Sequence, residues 1–515
     1  MAISLQIPQT FPTVVHLLHA AAAQNPAGEA LVMGNTRLTY RDYLHCVTRF
    51  ANELLALGSR GERVTLIMGN SPEFCIAMYA VHMAGAQVVP LNPLYTASEL
   101  RPLLEDAAAQ VLIYDTANAA ARDGQLAAEL KIPHRFEIGP AARTLSSVDL
   151  GAVELAAELP TSAMLATLQF TGGTTRRAKR VEITHGALAI NLAQRHAVLP
   201  TRPDVERILC VMPLFHCYAI HMCMHNMVHS RGILLILPRY QSAELLAVLA
   251  AERATLFGGS PTLFTSLMNY EGFERADFSS LQVTYSGASA LSAELLTRWE
   301  TRTGSSVIEG YGQSETGPVV SFNPLHGIRK PASVGIPLPD TTIEIVDLET
   351  GTRQLPSGEC GEIRVRGPQM MHGYRDRPEE TAETLRHGWL YTGDTGELDA
   401  DGYLYIRGRK KELIIVAGFN VYPREVEDVL ARAPGVSECA VVGVPDHTRG
   451  ELPVAYIVPQ QGVACDLEVV RGVAREHLAL YKQPVSIQVV DAVPKTSVGK
   501  LDRVALKRMA LDSRH

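Results

Sequence analysis

The alternation of short apolar runs with helix-like segments restricts the fold of this chain more than any other feature. An apolar run at residues 63–68 is followed by a helix-like segment at 71–84 and a strand-like run at 88–90. This order predicts a βαβ unit. A second helical segment at 98–109 and another apolar run at 111–114 continue the pattern. The chain therefore predicts a layered α/β domain with a mixed or parallel sheet.

The length and charge of the chain set its class and its number of domains. At 515 residues the chain exceeds what a single hydrophobic core usually supports, so we expect at least two domains. A basic stretch at 407–411 precedes about a hundred residues with their own strand and helix patterns, so we place the boundary between 410 and 411. The formal net charge of −7, without a long run of Lys and Arg, argues against nucleic acid as a partner.

Neither the N-terminus nor the apolar segments predict export or membrane insertion. The first residues lack a basic segment followed by an apolar stretch and a cleavage site. The strongest apolar run, 233–237, is far shorter than the roughly 20 residues of a membrane-spanning helix. The eight cysteines show no C-x-x-C spacing, which fits a reducing compartment. We predict a cytoplasmic protein with, at most, peripheral membrane contact.

Residues 171–180, with the sequence TGGTTRRAKR, concentrate the groups that bind phosphate. Glycine frees backbone N–H groups, threonine supplies hydroxyls, and a lysine supplies positive charge for polyphosphate oxygens. The Walker pattern G-x-x-x-x-G-K-[ST] is absent. The segment therefore favours a phosphate-binding loop of another kind over a solvated turn.

Three further segments carry aromatic, acidic or basic side chains among turn-forming residues. The sequence EGYGQSETG at 309–317 offers a ring for a base and a carboxylate for a metal, although one such carboxylate is more often solvated. The other two are GWLYTGD at 388–394, with Arg409 after it, and PKTSVGKLDR at 494–503. Each of them alone is compatible with an ordinary loop.

Together, in this order and spacing, the four segments closely resemble the motifs of the adenylate-forming superfamily. That superfamily contains acyl-CoA synthetases, luciferases and peptide-synthetase adenylation domains, and the resemblance covers nearly the whole chain. The stretches LNPLYTASEL, LQFTGGTT, MPLFH and ADFSSLQ look most like bacterial medium- and long-chain fatty acyl-CoA ligases. The resemblance implies an ATP- and acyl-binding α/β domain at 1–410 and a small, mobile α+β domain at 411–515.

The same resemblance implies a reaction and its small molecules. A carboxylic acid, expected to be a fatty acid, would react with ATP to form acyl-AMP, and the acyl group would then pass to the thiol of coenzyme A. Magnesium would assist, held by Glu315. The resemblance implies ATP and AMP contacts, by residue type and motif position, for Thr171, Gly172, Gly173, Thr174, Thr175, Lys179, Gly287, Ala288, Tyr311, Gly312, Ser314, Asp394 and Arg409.

Four more residues match family positions that act in one of the two half-reactions. Lys500 matches the lysine that neutralises charge as the carboxylate attacks the α-phosphate. Lys411 matches the hinge about which the small domain rotates, and Gly418 matches a loop along the tunnel of the acceptor thiol. His216 matches a histidine beside the acyl site.

The chain also departs from the family pattern, which leaves alternatives open. Arg176 and Arg180 stand where the family has glycine, so a left-handed backbone there would be strained by about 1 kcal/mol or more, unless an arginine–phosphate contact offsets it. One alternative is a catalytically silent acyl-binding relative. Others are an acyl carrier protein as the acceptor and an aromatic or specialised acid as the substrate.

A row of histidines at helical spacing raises a separate question. His216, His221, His225 and His229 could form a metal row, but no acidic residue accompanies them. The resemblance places this segment in an ordinary packed helix. We therefore expect these histidines to pack in the core.

Overall fold

The computed structural model describes residues 6–8, 10–140, 142–147, 153–171, 178–287, 291–460, 462–495 and 501–512. The chain divides into two compact units by its internal contacts. The first unit comprises Met1–Pro331, Gly335–Thr342 and Arg366–Leu390, and the second comprises Ala332–Val334, Ile343–Val365 and Tyr391–His515. The predicted domain boundary between residues 410 and 411, after which the mobile domain would begin, stays a prediction.

The predicted βαβ unit forms the middle of one sheet of the first unit. Strands Arg63–Ile67 and Gln87–Leu91 pair in parallel, and helix Pro72–Met83 connects them. Ser71 starts this helix by accepting a hydrogen bond from the N–H of Phe74, and Pro72 occupies the first turn. In spatial order the sheet runs Gly373–Tyr374, Lys179–Thr184, Leu165–Thr171, Gln87–Leu91, Arg63–Ile67, Val111–Asp115 and His134–Ile138.

A second mixed sheet of the first unit has a parallel centre and antiparallel edges. Its central strands are apolar and buried on both faces, as expected for parallel strands covered by helices. In spatial order it runs Ile336–Pro337, Ser321–Phe322, Ser306–Tyr311, Val283–Ser286, Leu256–Gly259, Arg207–Cys210, Ile233–Ile236, Glu29–Met33 and Thr36–Thr39.

Helices of the first unit pack around these sheets and bury their apolar faces in shared cores. No helix of the described residues is long and apolar enough to cross a membrane. The α-helices of the first unit are Val14–Gln24, Tyr40–Ala56, Pro72–Met83, Ala97–Ala107, Ala120–Glu129, His185–Val198, Cys217–Ala219, Asn226–Ser230, Ser242–Ala251, Pro261–Met268, Ala293–Thr303 and Pro378–Thr384.

The second unit has its own apolar core. One of its sheets orders Thr342–Val346, Gly361–Arg366 and Trp389–Leu398, and Leu404–Arg409 pairs with Trp389–Leu398. The other orders Phe419–Val421, Ile414–Val416, Gly450–Pro459 and Val436–Asp446, and Ser486–Val489 pairs with Gly450–Pro459. Helices Pro423–Leu430, Leu467–His477 and Arg503–Asp512 complete the unit.

The predicted α/β fold class, with a large N-terminal and a small C-terminal part, is confirmed. The structure also contains two elements that the sequence pattern did not indicate. Strand His134–Ile138 lies in an interval expected to hold only helices and connections; it is an edge strand with polar residues on its exposed face. Residues Ile220–His225 form a turn of π-helix inside the segment predicted as an ordinary helix.

Candidate active site

The predicted phosphate loop is closed at both ends by a strand pair. Strands Leu165–Thr171 and Lys179–Thr184 run antiparallel, and Thr171 is the partner of Lys179 in their register. The two ends of the loop therefore lie side by side. Gly172, Gly173, Thr174, Thr175 and Arg176 lie outside the described residues.

Lys179 and Glu315 are brought together by one tyrosine that the sequence analysis did not single out. The Lys179 ammonium lies 4.2 Å from the centroid of the Tyr374 ring. The Tyr374 hydroxyl donates a hydrogen bond of 3.0 Å to Oε1 of Glu315. Burial, with help from the Glu315 carboxylate, raises the pKa of Tyr374 well above its usual value, so the phenol keeps the proton it donates.

The Lys179 ammonium also forms an ion pair with Glu380, at 3.3 Å between Nζ and Oε2. Glu380 lies in the first turn of the short helix Pro378–Thr384, which follows Tyr374. Both partners are partly exposed, so the pair orients the lysine more than it stabilises the fold. The loop lysine thus has a fixed position between an aromatic face and a carboxylate.

Glu315 and Ser314 lie in the single helical turn Ser314–Thr316, which follows strand Ser306–Tyr311. The N–H of Met371 donates to the Glu315 carbonyl at 2.9 Å and fixes the backbone of the turn. The Glu315 carboxylate is partly exposed, and a hard oxygen donor of this kind is one that Mg²⁺ binds. The donor chemistry therefore fits a magnesium ion held next to phosphate oxygens.

Tyr311 and Gly312 form the start of this turn, and only glycine fits the second position. A Cβ atom at Gly312 would stand 1.8 Å from the carbonyl oxygen of Pro318. The Tyr311 hydroxyl accepts a hydrogen bond of 3.2 Å from the side-chain amide of Gln313. The close passage of the backbone past Pro318 explains why the sequence has a glycine here.

His216 begins a short helix and lies in the segment next to Ser314. Its Nδ1 atom accepts the backbone N–H of Tyr218 at 3.3 Å. The neighbouring Cys217 thiol lies 3.5 Å from the hydroxyl of Ser314. The structure thus brings together two predicted site residues, His216 and Ser314, through a cysteine that the sequence analysis did not identify.

Gly287 meets the same segment through an aromatic ring. A Cβ atom at Gly287 would stand 2.7 Å from the ring of Tyr218. The Tyr218 hydroxyl donates to the carbonyl oxygens of Tyr285, at 3.1 Å, and Gly259, at 3.4 Å. Glycine is therefore required for the ring to close against the strand end. Ala288 lies outside the described residues.

Arg180, which replaces a family glycine, has protein partners of its own. Its guanidinium donates to the backbone oxygen of Asp106 at 3.1 Å and lies 3.5 Å from the Asp376 carboxylate. Arg180 is a strand residue and is not among the positive-φ residues of the described chain, so the expected backbone strain does not arise there. In the structure this arginine therefore forms an ion pair with a protein carboxylate.

In the second unit, Asp394 and Arg409 are direct partners across two antiparallel strands. The Nε atom of Arg409 lies 3.3 Å from Oδ1 of Asp394, whose carboxylate is largely buried while the guanidinium is half exposed. Charge and register both hold the pair.

Two other described site residues of the second unit, Lys411 and Gly418, lie at exposed turns. Lys411 is exposed in the turn Lys410–Glu412. Ala417 and Gly418 connect strands Ile414–Val416 and Phe419–Val421 with φ angles of +51° and +85°. Two consecutive left-handed residues are typical of a tight hairpin turn, which explains the glycine. Lys500 lies outside the described residues.

Two family models match the chain. The model described as AMP-binding enzyme matches residues 18–375, and the model described as AMP-binding enzyme C-terminal domain matches residues 425–500. This chain belongs to the AMP-binding enzyme family. The predicted membership in the adenylate-forming superfamily is confirmed.

Relatives of this AMP-binding enzyme span it almost completely. A long-chain-fatty-acid–CoA ligase of Bacillus subtilis is 34% identical over 99% of this chain and 97% of its own length. A feruloyl-CoA synthase of an Amycolatopsis species is 35% identical over 95% and 97%. The solved structure of ATP-bound MatB from Rhodopseudomonas palustris is 30% identical, with a TM-score of 0.90, and covers 97% of this chain and 100% of its own. Family and relatives confirm the prediction of an AMP-forming acid–thiol ligase.

The histidine row of this AMP-binding enzyme packs in the core of the first unit. His221 and His225 are fully buried. Burial lowers the pKa of both histidines to about 3, so both rings are neutral near pH 7. The Tyr79 hydroxyl lies 2.9 Å from Nδ1 of His225. These contacts are those of a packed histidine cluster, as expected from the resemblance.

Sequence reasoning missed Tyr374, Cys217 and Tyr218 as neighbours of the site. Tyr374 follows the phosphate loop by almost two hundred positions, and no spacing rule connects them. Tyr218 carried a signal, because it comes two residues after His216 in a segment already singled out. Cys217 carried none, since an isolated cysteine in an apolar segment is usually a core residue.

Proposed function

We propose that this AMP-binding enzyme activates a fatty acid with ATP and transfers the acyl group to coenzyme A. The observation that carries the proposal is the contact of Lys179 and Glu315 with the same tyrosine, beside a loop closed by Thr171 and Lys179. A lysine for phosphate charge and a carboxylate for a metal are the two groups that ATP with Mg²⁺ requires.

In the first half-reaction a carboxylate oxygen of the acid attacks the α-phosphorus of ATP and pyrophosphate leaves. We assign the β- and γ-phosphates to the loop, with Thr171, Thr174, Thr175 and Lys179 as donors, and the α-phosphate to Ser314. When bound at Glu315, Mg²⁺ would supply positive charge to the phosphate oxygens. Lys500 would neutralise the charge that develops at the α-phosphate during attack.

The nucleoside is assigned to residues of complementary shape and charge. Tyr311 offers a ring for adenine to pack against, and Gly312 lets the backbone pass close by. Asp394 would accept hydrogen bonds from the ribose hydroxyls, and its pairing with Arg409 orients the carboxylate.

In the second half-reaction the thiol sulphur of coenzyme A attacks the acyl carbonyl carbon and AMP leaves, while the thiol proton passes to solvent. We assign this step to a second conformation, in which the small domain has rotated about Lys411. In that conformation the hairpin at Gly418 would line the thiol tunnel. The exposure of both positions is compatible with a hinge and a surface loop.

An aromatic acid is the second candidate substrate, because one relative of similar identity is named a feruloyl-CoA synthase. The fatty acid is preferred because the relative named a long-chain-fatty-acid–CoA ligase matches over a larger share of this chain. Both candidate acids would undergo the same adenylation chemistry. They would differ only in their contacts with the acyl-binding wall, to which we assign His216, Tyr218 and Gly287.

The test is pyrophosphate release by the purified protein with ATP, Mg²⁺ and separate fatty and aromatic acids, with and without coenzyme A. We expect release with fatty acids, stimulated by coenzyme A and strongly reduced in Glu315→Gln. Release with aromatic acids alone would replace the fatty acid by the second candidate. A carrier protein bearing phosphopantetheine, used in place of coenzyme A, tests the other acceptor.

Silence with every acid would support a catalytically inactive relative with an altered loop. The ion pair of Arg180 with Asp376 argues against that outcome, because this arginine is accommodated without backbone strain. The substitution Arg176→Gly restores glycine at the other position where the family has it. If an inactive protein recovered activity with this substitution, the altered loop would be identified as the cause of the inactivity.

A further inference from the structure

Arg503, the last residue of the motif at 494–503, contacts three other segments of the second unit. Its side chain is only 17% exposed. Its Nη1 and Nη2 atoms lie 2.7 Å and 3.1 Å from the two carboxylate oxygens of Glu427. Its Nε atom lies 2.8 Å from Oε2 of Glu412, and Nη1 also donates to the Val441 carbonyl at 2.7 Å. We call Arg503 with Glu427 and Glu412 the Arg503 clamp.

Glu427 fixes the clamp to the body of the small domain. It lies on helix Pro423–Leu430, and its largely buried carboxylate also accepts the N–H of Val441 at 2.7 Å. Charge-assisted hydrogen bonds are roughly twice as strong as neutral ones. A planar guanidinium can serve two carboxylates at once, which the single ammonium of a lysine does less well. The clamp therefore holds Arg503 in a defined position and orientation.

The other acid of the clamp, Glu412, is the neighbour of the assigned hinge residue Lys411. On the opposite side of Lys411, the ammonium of Lys410 lies 2.8 Å from the buried carboxylate of Glu362. Glu362 belongs to one sheet of the second unit, whereas the clamp is bonded to a strand of the other sheet. Two ion pairs thus hold the neighbours of Lys411 to different sheets, while Lys411 itself is exposed. This arrangement restricts a rotation to the single residue between them.

The segment that carries Lys500 is closed at its base, immediately before the clamp. Lys495 and Leu501 are partners in an antiparallel bridge. The N–H of Asp502 donates to the carbonyl of Pro494 at 2.9 Å. The anchored arginine follows these contacts directly in the chain. The clamp therefore fixes the base of the segment to which the sequence analysis assigned the adenylation lysine.

We propose that Arg503 is a positioning residue that couples the hinge turn, through Glu412, to the segment that carries Lys500. This inference rests on the proposed function and adds a positioning residue to its first half-reaction. With the clamp intact, rotation about Lys411 would move Lys500 together with the small domain as one rigid body. The lysine ammonium then meets the α-phosphate in a defined position, and misplacement of a reacting group by about 1 Å costs on the order of 100-fold in rate.

The experiment measures pyrophosphate release by the full-length protein with ATP, Mg²⁺ and the fatty acid on which the unmodified protein is most active. Glu412→Ala removes the hinge-side carboxylate and leaves the pair of Arg503 with Glu427. We expect kcat to fall about 10-fold, because Lys500 is less precisely placed. The KM for ATP should stay within about 2-fold, since the groups assigned to ATP binding lie in other segments.

Two conservative variants and one control accompany this measurement. Glu412→Gln keeps an oxygen that accepts from Nε of Arg503, so we expect it to retain most of the rate. Arg503→Lys keeps a charge for Glu427 but cannot bond both acids in the same way, so it should resemble Glu412→Ala. Lys507→Met removes a partly exposed ion pair from the same helix and should change neither kcat nor KM.

A second background separates positioning from a general loss of structure. In Lys500→Ala the group that the clamp would position is absent, so the added substitution Glu412→Ala should cause no further loss of pyrophosphate release. A further loss of about 10-fold in that background would overturn the inference, because independent effects add. An unchanged kcat in Glu412→Ala alone would overturn it as well.

Hydrogen exchange tests the clamp independently of activity. The amide of Asp502, bonded to Pro494, should exchange on the order of 10-fold faster in Glu412→Ala and at an unchanged rate in Lys507→Met. Unchanged exchange in Glu412→Ala would overturn the clamp at any level of activity. Absence of pyrophosphate release by the unmodified protein would overturn the proposed function and the positioning role of Arg503, while faster exchange would still support the clamp.

Discussion

The described site residues of the first unit are held by contacts, whereas two of the four described site residues of the second unit lie at exposed turns. Lys179, Glu315 and Gly312 each have a ring, a carboxylate or a backbone segment in close contact. Lys411 and Gly418 are exposed. The difference matches the tasks proposed for them, because positioning phosphates requires a rigid site while exchanging one half-reaction for the other requires a hinge.

Asp394 of the second unit differs from Lys411 and Gly418, because it does not lie at an exposed turn. Its carboxylate is largely buried and paired with Arg409, unlike the exposed turn residues that follow in sequence. A group that binds ribose must already be in place in the first half-reaction. The burial of the Asp394 carboxylate therefore fits the proposed role and resembles the rigidly held site residues of the first unit. The contrast is therefore one of proposed role rather than of position in the chain.

The largest expected effect is that of Lys500→Ala, which tests whether one second-unit residue acts in the first half-reaction. We expect pyrophosphate release to fall on the order of 100-fold or more, because the transition-state charge loses its partner. Thioester formation from supplied acyl-AMP should remain. Equal loss of both activities would contradict the assignment of Lys500 to adenylation, and Lys495→Ala is the neighbouring control.

A matched pair of glycine substitutions tests the contrast between the packed site residues and the exposed ones directly. Gly312→Ala must displace the backbone, because its Cβ would stand 1.8 Å from the Pro318 oxygen, so we expect loss of most adenylation. Gly418→Ala meets no atom within 4 Å and suffers only the strain of φ +85°, about 1 kcal/mol. We expect a modest loss, confined to thioester formation. Similar losses of adenylation in both variants would refute the distinction between a packed and an open site.

Lys411→Ala tests the hinge assignment at a smaller magnitude. Adenylation should remain near that of the unmodified protein, while thioester formation from acyl-AMP should fall by about 10-fold, since the rotated state loses a contact. Single-turnover measurements of each half-reaction separate the two. Lys507→Ala removes another exposed positive charge of the second unit and should change neither step; an adenylation defect in Lys411→Ala would disprove the hinge role.

The last prediction concerns stability rather than catalysis and asks whether the rigid packing of the first unit depends on pH. Burial, followed by the neighbouring His225, lowers the pKa of His82 to about 3 from 6.5. The unfolded chain therefore takes up a proton first as the pH falls below 6.5, and the folded state loses stability. The free energy lost between pH 7 and pH 5 is about 2 kcal/mol for this group.

His82→Leu should remove that part of the pH dependence, whatever its effect at pH 7. The measurement is the difference in urea midpoint between pH 7 and pH 5 for the variant and the unmodified protein. His326→Gln, at an exposed histidine, is the control. An unchanged pH dependence in His82→Leu would show that His82 is not neutral and buried in the folded protein.

The order and spacing of the motifs were enough to predict the family and the fold class, while the ribose-binding role of Asp394 with Arg409, which the resemblance implies, stays a prediction. Local pattern sufficed for the βαβ unit as well, since helix start signals and apolar periodicity act over a few residues. By contrast, the strand His134–Ile138 was missed because its exposed face is polar, and the π-helical turn was missed because its signal is weaker than that of an ordinary helix.

The sequence by itself determined which chemical groups this enzyme carries and that they belong to one adenylate-forming family. Only the tertiary structure decided that Tyr374 joins Lys179 to Glu315 and that Arg180 pairs with Asp376. The physical reason is the distance along the chain over which each kind of interaction acts. Turn chemistry and motif spacing are local, whereas the partner of a side chain is set by the packing of segments far apart in sequence, which no local pattern encodes.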